Sequence, residues 1–553
     1  MFDAKDRARI PAKFLFLICA VIGALCFIGI YGIRVLDFTN VGWLFDNDHD
    51  LRQHFIGWCR YRTDPWHFPI GLIDSLSYPQ SMSVIYTDSI PAFAVLFKIL
   101  SPILPGSFQY FGLFGLISFM LMGGFASLLL RRIVSNDIVC IIGSVFYVTA
   151  APVIQRMYYH TALASQWIVV AALVLFVSDE LILSDRRRVL YWGILGFVCV
   201  AVHSYFLPMV GMILAATAWV QIVRKRSWAL VLWEFLVFCE AGILNLYVLG
   251  GFHGGTSPTG PGLGTFGSNL NTFINPQDIG HLLTELPVLQ YFQYEGMAYL
   301  GAGILFLFLV TAVGMIFRTA RGVPEEAFHS DAVYGRASLV LVIVSFLAAV
   351  LPTLSFNDKL IVTIPYPGFV EKVLGIFRSN GRLVWPAMYI LMTAAIAFAA
   401  YTFRRYPYIA VTVVAASLLI QIADMAPTFG NKFRFYMDAH PISSMWDDEE
   451  LRTFVQGNSR FEFLYTENDI TLETGYFGYL SGMSQNNFYF ARDIDNKVRE
   501  DIRADLERME KGDLEDGVVY VLRTEDYENN RRVMDAAPAD RLERFDHVFM
   551  KKR

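Results

Sequence analysis

The sequence predicts an α-helical, polytopic membrane protein of about eleven spans plus one short or re-entrant helix, followed by a small α/β domain. Three observations predict it. The 553-residue chain is 55% hydrophobic and only 17% charged, with a mean hydropathy of +0.43, the balance of an integral membrane protein. Apolar runs of about 17–22 residues recur, the length that crosses a ~30 Å hydrocarbon core. From about Gly430 onward the runs stop and charged residues take over.

The spans are expected near 13–33, 108–130, 137–154, 162–183, 189–205, 206–223, 228–249, 297–318, 336–354, 384–403 and 406–424. The first reads as a signal anchor, because its apolar run is long and no small-residue cleavage site follows it. Pro91–Leu104 is short, bracketed by Pro91, Pro102 and Pro105, and carries Lys98. It is therefore expected to be re-entrant or an incomplete span. With that segment not crossing, the basic clusters Lys5–Lys13, Arg131–Arg132, Arg186–Arg188, Arg224–Arg226, Arg318–Arg321 and Arg404–Arg405 all fall on one side. By the positive-inside rule that side is the cytoplasm. Gly250–Gly296 contains no Lys or Arg, as an outside loop should.

The expected organisation is a transmembrane domain, 1–429, with a first outside loop 34–107 and a flexible outside loop 250–296, then a soluble domain 430–553 outside the membrane. The Gly/Pro/Ser-rich stretch 250–269 reads as mobile. In the tail, Asp447–Gln456 and Asp526–Ala536 look helical and Val518–Leu522 looks like a strand. The formal charge of −5 gives no sign of nucleic-acid binding. Five cysteines lie inside spans and Cys59 is expected alone near the surface, so there is neither a disulfide framework nor a zinc spacing.

The chemistry-bearing stretch is Phe45-Asp-Asn-Asp-His-Asp-Leu-Arg-Gln-His54, directly after the first span. Carboxylates at a membrane boundary are costly to desolvate, so Asp46, Asp48 and Asp50 together point to chemistry at that surface. Asp48 is equally placed to cap the helix that starts at Asp50. From Asp50 to Arg62 the pattern suggests an interfacial amphipathic helix, with Leu51, Phe55 and Trp58 on one side and Asp50, Gln53 and His54 on another. The alternative is a polar face that is merely wet. Asp88 is a second acidic candidate, or an N-cap for the re-entrant segment.

Basic groups on the outside face are few. Arg156 and His160 flank a short turn, and Arg378 and Arg382 stand just before a span. At i, i+4 spacing these last two arginines can grip a phosphate, or snorkel to lipid headgroups. His203 reads as a packed or hydrated histidine. A carboxylate that activates a hydroxyl and arginines that stabilise a departing phosphate are the two needs of glycosyl transfer from a lipid-phosphate sugar.

The segments Asp50-Leu-Arg-Gln-His-Phe-Ile-Gly-Trp58, Asp64-Pro-Trp-His-Phe-Pro-Ile-Gly71, Thr87-Asp-Ser-Ile-Pro91 and Phe377-Arg-Ser-Asn-Gly-Arg-Leu-Val-Trp-Pro386 resemble a bacterial family within the GT-C superfamily of integral-membrane glycosyltransferases. The resemblance covers most of the chain. It implies a polyprenyl-phosphate sugar donor, inversion at the anomeric carbon, and an essential acid in the first outside loop. That role falls to Asp50, with Asp48 and Asp46 as alternates; His54, Gln53, Asp88, Arg156, His160, Arg378 and Arg382 are the substrate-binding candidates. No cofactor is required and no metal ligand is assigned, although some GT-C members bind a divalent metal through acidic residues. The implied partners are a glycan, glycolipid or exported protein acceptor and the lipids of a bacterial inner membrane, with the N-terminus cytoplasmic and the C-terminal domain periplasmic. A transporter or flippase of lipid-linked glycans would show polar residues along many spans and related halves. Here Glu234 and Glu240 are the notable exceptions in otherwise clean spans. A non-catalytic assembly protein would leave the acidic cluster without a role.

Overall fold

The computed structural model describes residues 9–46, 49–178, 183–253, 263–320, 331–468, 470–490 and 495–553. In chain order they form α1 (Ala12–Tyr31), α2 (His49–Thr63), the hairpin β1 (Leu72–Ser77) and β2 (Gln80–Ser83), α3 (Pro91–Leu100), α4 (Phe111–Ile133), α5 (Asp137–Val148), α6 (Ala151–Arg156), α7 (Trp167–Phe176), α8 (Asp185–Val202), α9 (Phe206–Val223) and α10 (Trp228–Val248). There follow α11 (Ala302–Ala320), α12 (Ala332–Val350), the hairpin β3 (Thr353–Phe356) and β4 (Lys359–Thr363), α13 (Gly368–Leu374), α14 (Trp385–Thr402) and α15 (Pro407–Met437). The C-terminal part holds α16 (Glu449–Val455), β5 (Arg460–Phe463), α17 (Thr471–Ser481), β6 (Ser484–Gln485), α18 (Asp495–Glu510), β7 (Val518–Arg523), α19 (Thr524–Asn529), α20 (Arg531–Ala536), β8 (Ala539–Arg544) and β9 (His547–Lys552).

The chain thus has the expected order of elements: an apolar first helix, an acid-bearing segment with its own helix, a run of apolar helices and an α/β region. Among the described residues, seven helices are long and apolar enough to cross a membrane by length and composition. Of the other expected spans, α5 and α7 are shorter, with 12 and 10 residues. Pro152 cannot continue α5, so the chain turns at Thr149 and restarts as α6. α3 has ten residues, about 15 Å of rise, half a bilayer core. α15 runs thirteen residues past its expected end at 424, through Pro427, to Met437.

The chain divides into two compact units. The first, Met1–Asn40 with Tyr110–Ile243 and Gly260–Asp438, contains most of the apolar helices. α1 and α4 meet through glycines: a methyl group at Gly23 would lie 2.2 Å from the Phe119 carbonyl oxygen, and one at Gly123 2.2 Å from that of Cys19. Only glycine permits this backbone approach.

The second unit joins Val41–Gln109, Leu244–Thr259 and Ala439–Arg553. Its sheet has the order β6-β5-β7-β9-β8, with β5 parallel to β6 and β7, and β9 antiparallel to β7 and β8. β7 is apolar on both sides: Val519 and Val521 join Trp446, Phe461 and Phe549, while Val518, Tyr520 and Leu522 join Met534 and Met550. A strand covered on both faces reads as a continuous apolar run, which is why Val518–Leu522 stands out in the sequence.

α2 departs from expectation. Leu51, Phe55 and Trp58 are buried, but so are Gln53, His54 and Arg60. The polar side chains are satisfied by backbone carbonyls: Gln53 donates to Tyr86 and Tyr489, Trp58 to Phe108, and Arg60 to Ser75 and Met483. The helix is therefore enclosed within its unit, not laid on a membrane surface, and Cys59, expected near the surface, is buried with it.

Candidate functional site

In the second unit the acidic stretch leads into α2. Asp46 is 62% exposed and its carboxylate lies 2.7 Å from His440 Nδ1. Asp48 lies outside the described residues. Asp50 is half-buried in the first turn of α2. Arg52 donates to the Phe45 carbonyl at 2.6 Å and stands 3.9 Å from Glu473.

His54 is fully buried, with Nε2 3.9 Å from a carboxylate oxygen of Asp88. Asp88 does not cap α3: its residue closes the preceding turn with φ 50°, and the N-cap of α3 is Ile90, with φ 54°. Two non-glycine residues in the left-handed region within three positions store strain that the fold must hold. It is held by Thr87 and Ser89, whose hydroxyls lie 2.8 Å apart, and by the Ser89 hydroxyl donating to the His54 carbonyl at 2.7 Å. Gly57 makes room for them, since a methyl group there would fall 2.4 Å from the Thr87 side chain. An imidazole nitrogen and a carboxylate oxygen at this separation are also close enough to share one divalent cation at ordinary bond lengths of about 2.0–2.2 Å.

In the first unit a different cluster forms around Glu295, which is 3% exposed. Arg156 Nη2 lies 2.9 Å from its carboxylate, Arg382 Nε 2.7 Å and His160 Nε2 3.4 Å. Burial disfavours the charged form of Glu295, but Arg156, Arg382 and His160 together outweigh it and hold the carboxyl well below its ordinary range. Arg156, expected in an outside turn, is wholly buried. Its Nη2 reaches Glu295, while Nε and Nη1 have no hydrogen-bond partner among the described residues.

The segment from Phe377 to Pro386 builds this cluster. Asn380 donates to the carbonyls of Ala348, Ala349 and Leu351, closing the end of α12. Ser268 donates to the carbonyls of Gly296 and Gly381, and Trp385 to that of Met297. Arg378 and Arg382 do not share an α-helical face, because the chain here makes two 3₁₀ turns, Gly375–Phe377 and Asn380–Val384. Arg378 stands over Phe266 at 5.4 Å, whereas Arg382 stands over Tyr205 at 4.7 Å and turns to Glu295. The two arginines that meet at one carboxylate are thus Arg156 and Arg382, while Arg378 stands apart from that cluster.

Nor is the stretch 268–300 a flexible loop. Asn269 donates to Gln293, Ser355 and the Asn357 carbonyl, and Asn271 to the Pro287 carbonyl and Asn357. The most Gly/Pro-rich part, 254–262, lies outside the described residues. His203 accepts from the Tyr205 backbone at 3.2 Å, a packed role as expected. Glu295 was missed from sequence, because its partners Arg156, His160 and Arg382 lie in distant segments and nothing beside it in the chain marks it.

The family described as "Domain of unknown function (DUF6311)" matches residues 20–426, and the "DUF6311 C-terminal domain" matches 450–552. The chain belongs to this family. No curated protein matches it in sequence. In structure it is similar to the oligosaccharyltransferase of Archaeoglobus fulgidus. With that enzyme tethered to an acceptor peptide containing the NVT sequon, it shares 12% identity over 98% of this chain and 74% of the other, with a TM-score of 0.45. The apo form gives 12% identity, 94% and 71% coverage and a TM-score of 0.44; the complex with Zn and sulfate gives 11%, 94%, 69% and 0.43.

Proposed function

We propose that the chain is an inverting glycosyltransferase of the GT-C type. It moves a sugar from a polyprenyl-phosphate donor to a glycan, glycolipid or exported protein at the periplasmic face of a bacterial inner membrane. The observation that carries this reading is the cluster at Glu295, where one carboxylate faces two buried arginines and a histidine and Arg156 keeps Nε and Nη1 without a hydrogen-bond partner among the described residues. Buried guanidinium donors left without a partner suit a further anion, and the phosphate of a lipid-linked donor is the anion assigned to them. Stabilising it as it departs is the electrostatic half of the reaction.

The acid–base half is assigned to the first outside segment. Asp50 takes the proton of the acceptor hydroxyl as it attacks the anomeric carbon, with Asp48 and Asp46 as alternates; the His440 contact makes Asp46 the least available. Gln53, His54 and Asp88 are assigned to positioning the acceptor. A divalent cation held by His54 and Asp88 would add positive charge beside the reacting sugar, and the reaction as written does not depend on it.

The test is transfer from a radiolabelled polyprenyl-phosphate sugar by the purified protein in lipid. Asp50→Asn should abolish transfer while leaving the gel-filtration profile unchanged. Retained activity in both Asp50→Asn and Asp48→Asn would remove the proposed base, and movement of label across a vesicle without bond formation would favour a transporter.

A further inference from the structure

The same unit holds a second set of buried charges that glycosyl transfer does not use. It lies where α8 begins, α9 ends and α10 begins, at the ends carrying the basic runs Arg186–Arg188 and Arg224–Arg226. Arg188 is 5% exposed; its Nε donates to Glu234 at 2.9 Å and its Nη1 to the Ser178 carbonyl at 2.5 Å. Gln221 Nε2 donates to the other Glu234 oxygen at 2.9 Å.

Beside this pair is a cavity of about 70 Å³, room for several waters. Its lining includes Arg188, Arg224, Arg226, Thr217, Gln221 and Tyr334 and, among the described residues, contains no acidic one. The carboxylates sit behind the lining and orient it: Asp331 pairs with Arg224 and Asp185 with Arg226. Arg224 also lies over the Tyr334 ring at 4.6 Å. Gln221 is 6% exposed and its Oε1 has no partner among the described residues. Its amide cannot be flipped to cure this, since that would set oxygen against the Glu234 carboxylate. The cavity therefore offers guanidinium donors for an anion, with Gln221, whose Oε1 has no partner among the described residues, in the wall beside them.

We propose that this cavity binds a phosphodiester that also carries a hydroxyl, the chemistry of a phosphoglycerol group. The source is either a glycerol-headed lipid or a soluble glycerol phosphate. Basic pockets between helices, at the ends favoured by positive residues, are suited to anionic headgroups. The assignment is independent of the glycosyltransferase reading.

The experiment uses the full-length protein in phosphatidylcholine nanodiscs, with retention of added phosphatidylglycerol, phosphatidic acid or glycerol 1-phosphate read by native mass spectrometry. Phosphatidylglycerol should be retained over phosphatidylcholine, and the double variant R224Q/R226Q should weaken retention roughly ten- to thirty-fold. The exposed neighbours R186Q/R187Q should leave it unchanged. Q221L should keep phosphatidic acid binding and lose the preference for phosphatidylglycerol. Displacement of lipid by glycerol 1-phosphate supports the site with a soluble ligand; lack of displacement supports it with a lipid. Equal retention of phosphatidylcholine, or an equal loss in R186Q/R187Q, overturns the proposal. Melting temperatures of each variant separate lost binding from lost fold.

Discussion

Two buried glutamates in one unit are handled in opposite ways. Glu234 sits on a regular helix and meets one arginine and one glutamine, so its charge is matched within the fold. Glu295 sits in a 3₁₀ helix, Tyr291–Gly296, and meets two arginines and a histidine, and one of those arginines, Arg156, keeps Nε and Nη1 without a partner among the described residues. A buried carboxylate matched by its neighbours is a structural device, whereas buried donors left over suit a further anion. The comparison teaches that the number of buried ionic groups says less about function than whether their donors are all used.

The comparison can be broken most directly by removing each carboxylate. Glu295→Gln leaves two buried guanidiniums facing each other and should cost about 3–5 kcal/mol. Glu234→Gln leaves one, still bonded to the Ser178 carbonyl, and should cost visibly less in the same thermal unfolding experiment. Equal losses would dissolve the distinction.

The next effect is on turnover. Arg156→Gln removes the unpartnered guanidinium donors without stranding Glu295, which keeps Arg382 and His160. Transfer should fall by about 10²-fold, the scale of losing one transition-state donor, while Arg188→Gln should alter stability more than kcat. A smaller effect is expected at the rim: His160, 3.4 Å from Glu295 and partly exposed, should cost about 1 kcal/mol or less as Asn.

Acidity sharpens the contrast further. The Glu295 carboxyl is depressed, so the stability it contributes is present above the ordinary 4.5 and is lost only as pH falls through its lower folded value. Glu462, on β5, behaves in reverse. Burial, then Asp505, pushes it up to about 8 against the pull of Arg460. Its contribution is full below 4.5 and lost as pH rises through about 8. Protection factors of the β5 amides, which remove the base-catalysed rise of exchange with pH, should therefore be lower at pH 9 than at pH 6, and Glu462→Gln should flatten that difference.

Much of the architecture was legible because hydrophobic length and charge asymmetry are local properties. The apolar helices, the short α3 and the strand β7 all follow from runs of neighbouring residues. α2 was read only in part. Its helical period was visible, but it was expected to lie at the membrane interface with its polar side open. Whether Gln53 and Arg60 meet water or the carbonyls of Tyr489 and Met483 depends on residues more than four hundred positions away. The part of the expected flexible loop 250–296 that follows residue 267 was misread for a similar reason, since Asn269 and Asn271 are held by Ser355 and Asn357, far along the chain.

By itself the sequence determined the order of apolar helices, the shift to an α/β region near the C-terminal end, and the presence of acids after the first span and arginines before the penultimate one. Each depends on composition or spacing along a few turns of chain. Only the tertiary structure decided which charges meet. Glu295 is a lone acid in a 3₁₀ helix, and its arginines lie 139 and 87 residues away. Coulomb energy depends on separation in space and on the loss of water between the groups, and neither is written in sequence distance.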